Sequence, residues 1–239
     1  MSNLVRNLVR IYIKIKYIMA KTEHYYTQFE SGNYYHVYNR TIDKGKLFSN
    51  EGNYIFFLKK FDEYLSGFVD TYAYCLLGNH FHLLIGILPE EETRTNLEIF
   101  ESSSFGKKIG AKKKSNADKS VHEIVSHQLQ KFFQSYAMAY NKQQNRVGTL
   151  FQTPFKRVLI DNDQYFTNMV YYIHANPKKH GFVSDFREYQ WSSYKRMLIE
   201  RPTKLRKREI LEWFGGKDAY LKFHEIEDRD LPNGWDLED

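Results

Sequence analysis

Apolar and polar residues first alternate regularly in the segment "NYYHVYN", residues 33–39. A period of two places His36 and Tyr38 on one face of an extended chain, and Tyr35 and Val37 on the other. Tyrosine and valine also favour the pleated backbone. The pattern therefore predicts a first β-strand here.

From Asn50 the apolar residues recur at three- and four-residue spacing, which predicts an amphipathic helix over residues 50–66. Two apolar runs follow, at 69–77 and 80–88, and the dipeptide Gly78-Asn79 separates them. Such a dipeptide between two β-rich runs is typical of a tight hairpin turn. The order so far is strand, helix, strand, strand.

Residues 89–119 carry acidic residues and then Ser, Gly and Lys with little periodicity, which predicts a flexible loop. Helical spacing resumes over 120–141, a strand is predicted at 155–160, and a further helix at 163–175. This order predicts an α+β fold of the ferredoxin-like split βαβ type, with an antiparallel sheet on one side and helices on the other.

The two ends of the chain are predicted to lie outside this domain, which spans 33–194. Residues 1–32 are interpreted as an N-terminal extension that is either disordered or upstream of the true start, and residues 195–239 as a C-terminal helical tail. Lys14 and Lys16 interrupt the only apolar run near the start. A signal peptide or membrane span is therefore not expected there, and the predicted location is the cytoplasm.

Composition adds an expectation about the partner. The formal net charge is +6, and the chain has 19 Tyr and 18 Phe. A basic surface favours an anionic partner, and aromatic rings in basic grooves hold unpaired bases by stacking, although aromatic residues also fill cores. The single cysteine, Cys75, excludes an internal disulfide framework.

Two histidines interrupt the apolar run "CLLGNHFHLLIGI". His80 and His82 are two residues apart, so in a strand their side chains lie on the same face. Two imidazoles placed in this way can share one metal ion. The alternative is that each is a hydrogen-bonded structural residue, and a metal site would in any case need a third ligand from elsewhere.

The helix predicted at 163–175 offers a third ligand. At about 100° per residue, Tyr172 and Asn176 lie together on one flank of its apolar stripe, together with Tyr165, and Tyr171 lies on the other flank. An asparagine oxygen could therefore bind an ion beside the phenol one turn away. Asn176 also precedes Pro177, so it could instead end the helix.

Four segments resemble the single-tyrosine HUH transposases, and in particular the REP-associated tyrosine transposase group. They are "GNHFHLLIG", "LQKFFQSYAMAYNKQQNRVGTLFQTPFKRVLIDNDQYF", "VYYIHANPKKHGFV" and "WSSY", and the similarity extends over residues 33–194. The resemblance implies that His80, His82 and Asn176 bind a divalent metal ion and that Tyr172 is the nucleophile.

The resemblance further implies a metal-dependent nicking and joining enzyme that acts on single-stranded or hairpin DNA. Tyr172 would attack a phosphodiester, giving a 5′-phosphotyrosine and a free 3′-hydroxyl. The expected metal is Mg²⁺ or Mn²⁺. Whether the chain acts as a monomer or as a homodimer stays open, since the wider family contains both.

Basic residues near the predicted site are candidates for DNA binding, although each could equally be a solvated charge. His36 is expected to face out beside the site, where it either positions DNA or has no role, and His174 is given no catalytic part. The candidate DNA-binding residues are Arg40, Lys156, Arg157, Lys178 and Lys179, with three further lysines, Lys112 to Lys114, in the loop.

Two other interpretations remain open. The chain could be a domesticated chromosomal protein that processes hairpin repeats without moving an element of its own. It could also be a non-catalytic nucleic-acid-binding module, because split βαβ domains with aromatic strands commonly bind RNA.

Overall fold

The computed structural model describes residues 27–108 and 119–226. The strands are β1 Tyr34–Arg40, β2 Val69–Leu76, β3 His80–Ile87 and β4 Lys156–Ile160. The helices are α1 Glu51–Leu65, α2 Glu90–Ser102, α3 Ser104–Lys108, α4 Val121–Gln143, α5 Asp163–Lys179, α6 Tyr194–Leu198, α7 Lys207–Phe214 and α8 Lys217–Glu225, with a 3₁₀ turn at Phe186–Glu188. Within the described ranges, no helix is both long and apolar enough to cross a bilayer.

The four strands form one antiparallel sheet in the order β2-β3-β1-β4. This order is that of a split βαβ unit, in which the first strand lies between the third and the fourth. The Gly78-Asn79 dipeptide forms the predicted hairpin turn, where the N–H of Leu77 donates to the carbonyl of His80 at 2.8 Å. The predicted α+β fold is therefore confirmed.

Helices cover both faces of the sheet. Helices α1 and α4 pack on the face that carries Tyr35, Val37 and Phe81. Helix α5 and the C-terminal helices cover the opposite face, around Tyr38 and Leu84. The sequence predicted helices on one side only. The second layer exists because every residue of β3 is buried, so both faces of the central strands need cover.

Helix α5 extends beyond its predicted end at residue 175. It begins after Asn162, whose side chain accepts the N–H of Tyr165, and it continues through Pro177 to Lys179. Proline disfavours helical backbone at the residue before it, but Asn176 and Pro177 are both buried in the fold. Tertiary packing thus outweighs the local preference, and Asn176 does not end the helix.

The prediction of a flexible loop over 89–119 is wrong for residues 90–108, which form α2 and α3. Leu97 is buried, and the ring of Phe100 packs edge-on against that of Phe68. These two helices have few apolar residues, and so few stabilise a helix only when it packs on a core that other elements have formed. The spacing of apolar residues therefore did not predict α2 and α3. Residues 109–118, which include Lys112 to Lys114, lie outside the described residues.

Both terminal regions contribute to the fold where they are described. Phe29 lies within the predicted N-terminal extension, yet it is buried and contacts Tyr35 edge-to-face, so the core begins before residue 33. In the C-terminal tail, Ile210 and Tyr220 are fully buried on the α5 side of the sheet. Residues 1–26 and 227–239 lie outside the described residues.

The segment "WSSY" protects the exposed edge of β2. The N–H of Leu76 donates to the carbonyl of Trp191 at 3.0 Å, and the N–H of Ser193 donates to the carbonyl of Tyr74 at 2.9 Å. An uncovered edge strand presents backbone groups that can pair with other chains. This segment therefore pairs with some of the backbone groups on the open edge of β2, the strand next to β3.

Gly86, opposite Tyr34 in the sheet, is required by close packing. A Cβ at this position would lie 2.9 Å from Cε2 of Tyr72 and 3.2 Å from the ring of Tyr34. We expect Gly86→Ala to lower the free energy of unfolding by about 1–3 kcal/mol, because overpacking displaces rings that are already in contact. Chemical denaturation measures this change. Gly67→Ala is the control, since its new Cβ would meet Asn96 at an ordinary 3.4 Å, and an equal loss in both variants would contradict the explanation.

Candidate active site

Strand pairing brings several predicted site residues into one recess. Tyr38 lies opposite His82 on one side and Lys156 on the other, while Arg40 lies opposite His80. Opposed residues in a sheet project from the same face. All five side chains line a single recess at the end of β1.

The two histidines of β3 are buried and held by contacts at Nδ1. Nδ1 of His80 lies 2.6 Å from Oδ1 of Asn79, and Nδ1 of His82 lies 2.9 Å from Nε2 of His36. The His80 and His82 ring centroids are 5.2 Å apart and the rings are nearly perpendicular. The pair therefore shares one face, as the sequence predicted.

Tyr172 lies directly against this pair. Its ring centroid is 5.7 Å from that of His82 and 6.0 Å from that of His36, both in edge-to-face contact, and the side chain is 1% exposed. Tyr171 packs instead against Phe186, away from the histidines. The helical flanks deduced from the sequence are thus correct.

Asn176 presents a buried oxygen on the same flank. Its Nδ2 donates to the carbonyl of Tyr172 at 2.8 Å, and its Oδ1 has no hydrogen-bond partner among the described residues. A buried amide oxygen without a hydrogen-bond partner raises the free energy of the folded state unless it binds a ligand. Two imidazoles and an amide oxygen are a suitable donor set for Mn²⁺ and an acceptable one for Mg²⁺. Within the described residues, no three His, Cys, Asp or Glu side chains form a metal-binding group, so such a site depends on the asparagine.

The predicted DNA-binding cations separate into two sets. Nζ of Lys179 lies 5.4 Å from the centroid of Tyr172, and Nζ of Lys156 lies 5.6 Å from that of Tyr38. Lys178 is half-buried near the end of the same helix as Lys179. Arg157 is on the opposite face of the sheet, where its guanidinium donates to the carbonyl of Thr27 and lies over aromatic rings. The structure therefore groups Arg157 with the core under α4 rather than with the recess.

Known proteins show similarity to this chain at the levels of sequence and fold. No family model matches the sequence. A protein of Haemophilus influenzae that is provisionally named a REP-associated tyrosine transposase is 28% identical over 156 residues, covering 64% of this chain and 71% of the relative. A solved structure of a REP-associated tyrosine transposase bound to a REP hairpin matches with a TM-score of 0.50 and 15% identity, over 74% of this chain and 86% of the other.

The resemblance to the REP-associated tyrosine transposase group is confirmed. The sequence relative supports it over 64% of the chain, and the solved structure supports the fold. The roles that the resemblance implies for His80, His82, Asn176 and Tyr172 stay predictions.

The structure corrects the expectation for His36 and adds His180, which the sequence analysis did not consider. His36 is fully buried between Tyr38 and Tyr172, so it does not face out towards DNA. His180 follows α5, and its ring centroid lies 4.7 Å from that of His80. Extending the spacing of Tyr172 and Asn176 by four more residues reaches His180, but the helix was predicted to end too early for this signal to be used.

His174, to which the sequence analysis gave no catalytic part, belongs to a buried hydrogen-bond network with His224 and Ser193. Nδ1 of His224 lies 2.8 Å from the carbonyl of Tyr220, which can only accept, so this nitrogen carries the proton of a neutral ring. His224 Nε2 then accepts from His174 Nδ1 at 3.0 Å, and His174 Nε2 accepts the Ser193 hydroxyl at 2.8 Å. Burial, with a contribution from His224, holds the pKa of His174 well below its ordinary value.

Ser193→Ala tests this structural assignment. The hydroxyl also accepts the backbone N–H of Tyr74 at 2.9 Å, so its removal leaves two buried polar groups without their partner. We expect the free energy of unfolding to fall by about 1–3 kcal/mol, measured by chemical denaturation. Ser126→Ala, whose half-buried hydroxyl lies a long 3.4 Å from His122 Nδ1, is the matched control and should change stability much less.

Proposed function

We propose that this chain is a metal-dependent endonuclease and strand transferase acting on single-stranded or hairpin DNA, with Tyr172 as nucleophile. One observation carries the proposal. The Tyr172 ring contacts His82, and Asn176, one turn further along the same helix, has a buried side-chain oxygen with no hydrogen-bond partner among the described residues. The hairpin substrate is suggested by the structural neighbour, whose DNA ligand is a REP hairpin. The sequence relative supports a transposase-type activity.

The chemistry expected of Tyr172 is an in-line substitution at phosphorus. The phenol oxygen forms a bond to the scissile phosphorus and loses its proton, while the bond from phosphorus to the 3′-oxygen breaks and that oxygen takes up a proton. The product is a 5′-phosphotyrosine with a free 3′-hydroxyl. The phosphodiester is exchanged for another phosphoester, so a second 3′-hydroxyl can reverse the step and join strands.

Tyr172 needs help to react at neutral pH. A phenol with a pKa near 10 is ionised to only about one part in a thousand at pH 7. The ammonium of Lys179, 5.4 Å from the centroid of the Tyr172 ring, would offset the negative charge of a phosphate bound there. Burial of the ring beside the histidines limits water access to the intermediate.

His80, His82 and Asn176 would hold the divalent ion. Such an ion supplies Lewis-acid polarisation of the scissile phosphate. Arg40 and Lys156 line the recess that contains His80 and His82, and they would contact the negatively charged DNA backbone. A processing role at dispersed chromosomal hairpins would use the same residues and the same chemistry, so the proposal covers that role as well.

A purely binding role without catalysis is the competing function. The buried oxygen of Asn176 has no hydrogen-bond partner among the described residues, which is a costly arrangement for a module that only stacks bases, because a buried polar group loses hydration. This cost favours the catalytic proposal.

Tyr172→Phe tests the nucleophile. With a labelled hairpin oligonucleotide and Mn²⁺, we expect the wild-type chain to form a covalent adduct that survives denaturing electrophoresis, and the variant to form none, because phenylalanine has no oxygen to attack phosphorus. Hairpin binding, measured by gel shift, should remain. Tyr171→Phe is the control and should form the adduct as wild type does, since Tyr171 lies on the other flank. An adduct in the Tyr172→Phe variant would exclude the assignment.

His80→Ala tests the metal site. We expect loss of adduct formation together with loss of Mn²⁺ binding, measured by the electron paramagnetic resonance signal of free Mn²⁺, because one of three proposed ligands is removed. His127→Ala is the control, since His127 lies on α4 across the sheet from the recess. Full Mn²⁺ affinity in the His80→Ala variant would exclude His80 as a ligand.

A further inference from the structure

Each histidine of the proposed metal site has a partner at the same ring nitrogen. Oδ1 of Asn79 lies 2.6 Å from Nδ1 of His80, and Nε2 of His36 lies 2.9 Å from Nδ1 of His82. The opposite nitrogen, Nε2, is a buried atom in both rings. The partners come from different elements, since Asn79 is in the hairpin turn and His36 is in β1.

The Nδ1 contacts determine which nitrogen of each ring can bind a metal ion. A neutral imidazole has one N–H, and a nitrogen that ligates a metal does so through its lone pair. The amide nitrogen of Asn79 faces the carbonyl of Lys44, so its oxygen faces His80. Because an amide oxygen only accepts, the proton of His80 lies on Nδ1 and the lone pair on Nε2.

His36 can accept the Nδ1 proton of His82, as Asn79 accepts that of His80. If Nε2 of His82 is to bind the ion, its Nδ1–H must donate to Nε2 of His36, which then carries its own proton on Nδ1. The position of His36 is well defined, because its ring stacks on Tyr38 at 4.8 Å and meets the edge of Tyr172 at 6.0 Å. Its side chain is fully buried, so water does not readily replace it as acceptor.

We propose that His36 and Asn79 are positioning residues, which hold the Nδ1 protons of His82 and His80 so that both rings present Nε2 to the metal ion. This inference rests on the proposed function and extends it to two residues that are not among the proposed metal ligands. It also explains why β1 carries a buried histidine at a position where an apolar residue would otherwise suit the core.

Two substitutions at His36 separate the loss of the acceptor from the loss of the ring. His36→Phe keeps a planar ring but has no acceptor, whereas the side-chain oxygen of His36→Gln can occupy the place of Nε2. For the purified full chain, we expect His36→Phe to weaken Mn²⁺ binding by roughly 10- to 100-fold, and His36→Gln to recover most of that loss. The readouts are Mn²⁺ titration by electron paramagnetic resonance and circular dichroism to verify folding. Wild-type affinity in the folded His36→Phe variant, or an equal loss in both variants, would overturn the role of His36.

The tautomer of His82 provides a readout that needs neither metal nor DNA. In long-range ¹H–¹⁵N spectra of the metal-free chain, we expect the Nδ1–H form for His80 and His82 in the wild type and in His36→Gln, and a changed His82 pattern in His36→Phe. An Nε2–H form of His82 in the wild type would overturn the inference. If instead the tautomers and the Mn²⁺ dependence are as expected but Tyr172 forms no adduct, the proposed catalysis fails and the positioning role stands.

Discussion

The packing of helix α5 across the histidine face of the sheet is the interaction on which the rest of this structure depends. It buries His82 against the ring of Tyr172, and it buries Asn176 one turn further along the same helix. Without this layer the apolar residues on that face would be exposed, and the histidines would be solvated side chains on an open sheet. The same contact thus completes a core and assembles a candidate active site.

Enclosure of polar groups imposes requirements on the surrounding structure. Buried imidazoles and amides lose hydration, so each must find a partner in the protein or in a ligand. Behind the site, His174, His224 and Ser193 satisfy one another in a continuous network. In the site itself, Asn176 Oδ1 has no partner among the described residues, and this difference between the two clusters distinguishes a structural arrangement from one that is prepared for a ligand.

The C-terminal region is part of the folded core and is not a peripheral tail. The segment around Ser193 satisfies the edge of β2, and helices α7 and α8 bury Ile210 and Tyr220 on the α5 side. These elements share one core with the buried residues of α5, the helix that carries Tyr172. The core that supports helix α5 therefore includes residues that lie far from it along the chain.

Local periodicity by itself determined the strands, the shared face of His80 and His82, and the separation of Tyr172 from Tyr171, because side-chain direction within one element follows from backbone geometry alone. Only the tertiary structure decided that α5 continues through Pro177, that His36 lies behind His82, and that Arg157 belongs to the opposite face. These outcomes depend on packing between elements distant in sequence, whose contacts override local preference and leave no signal in the spacing of residues.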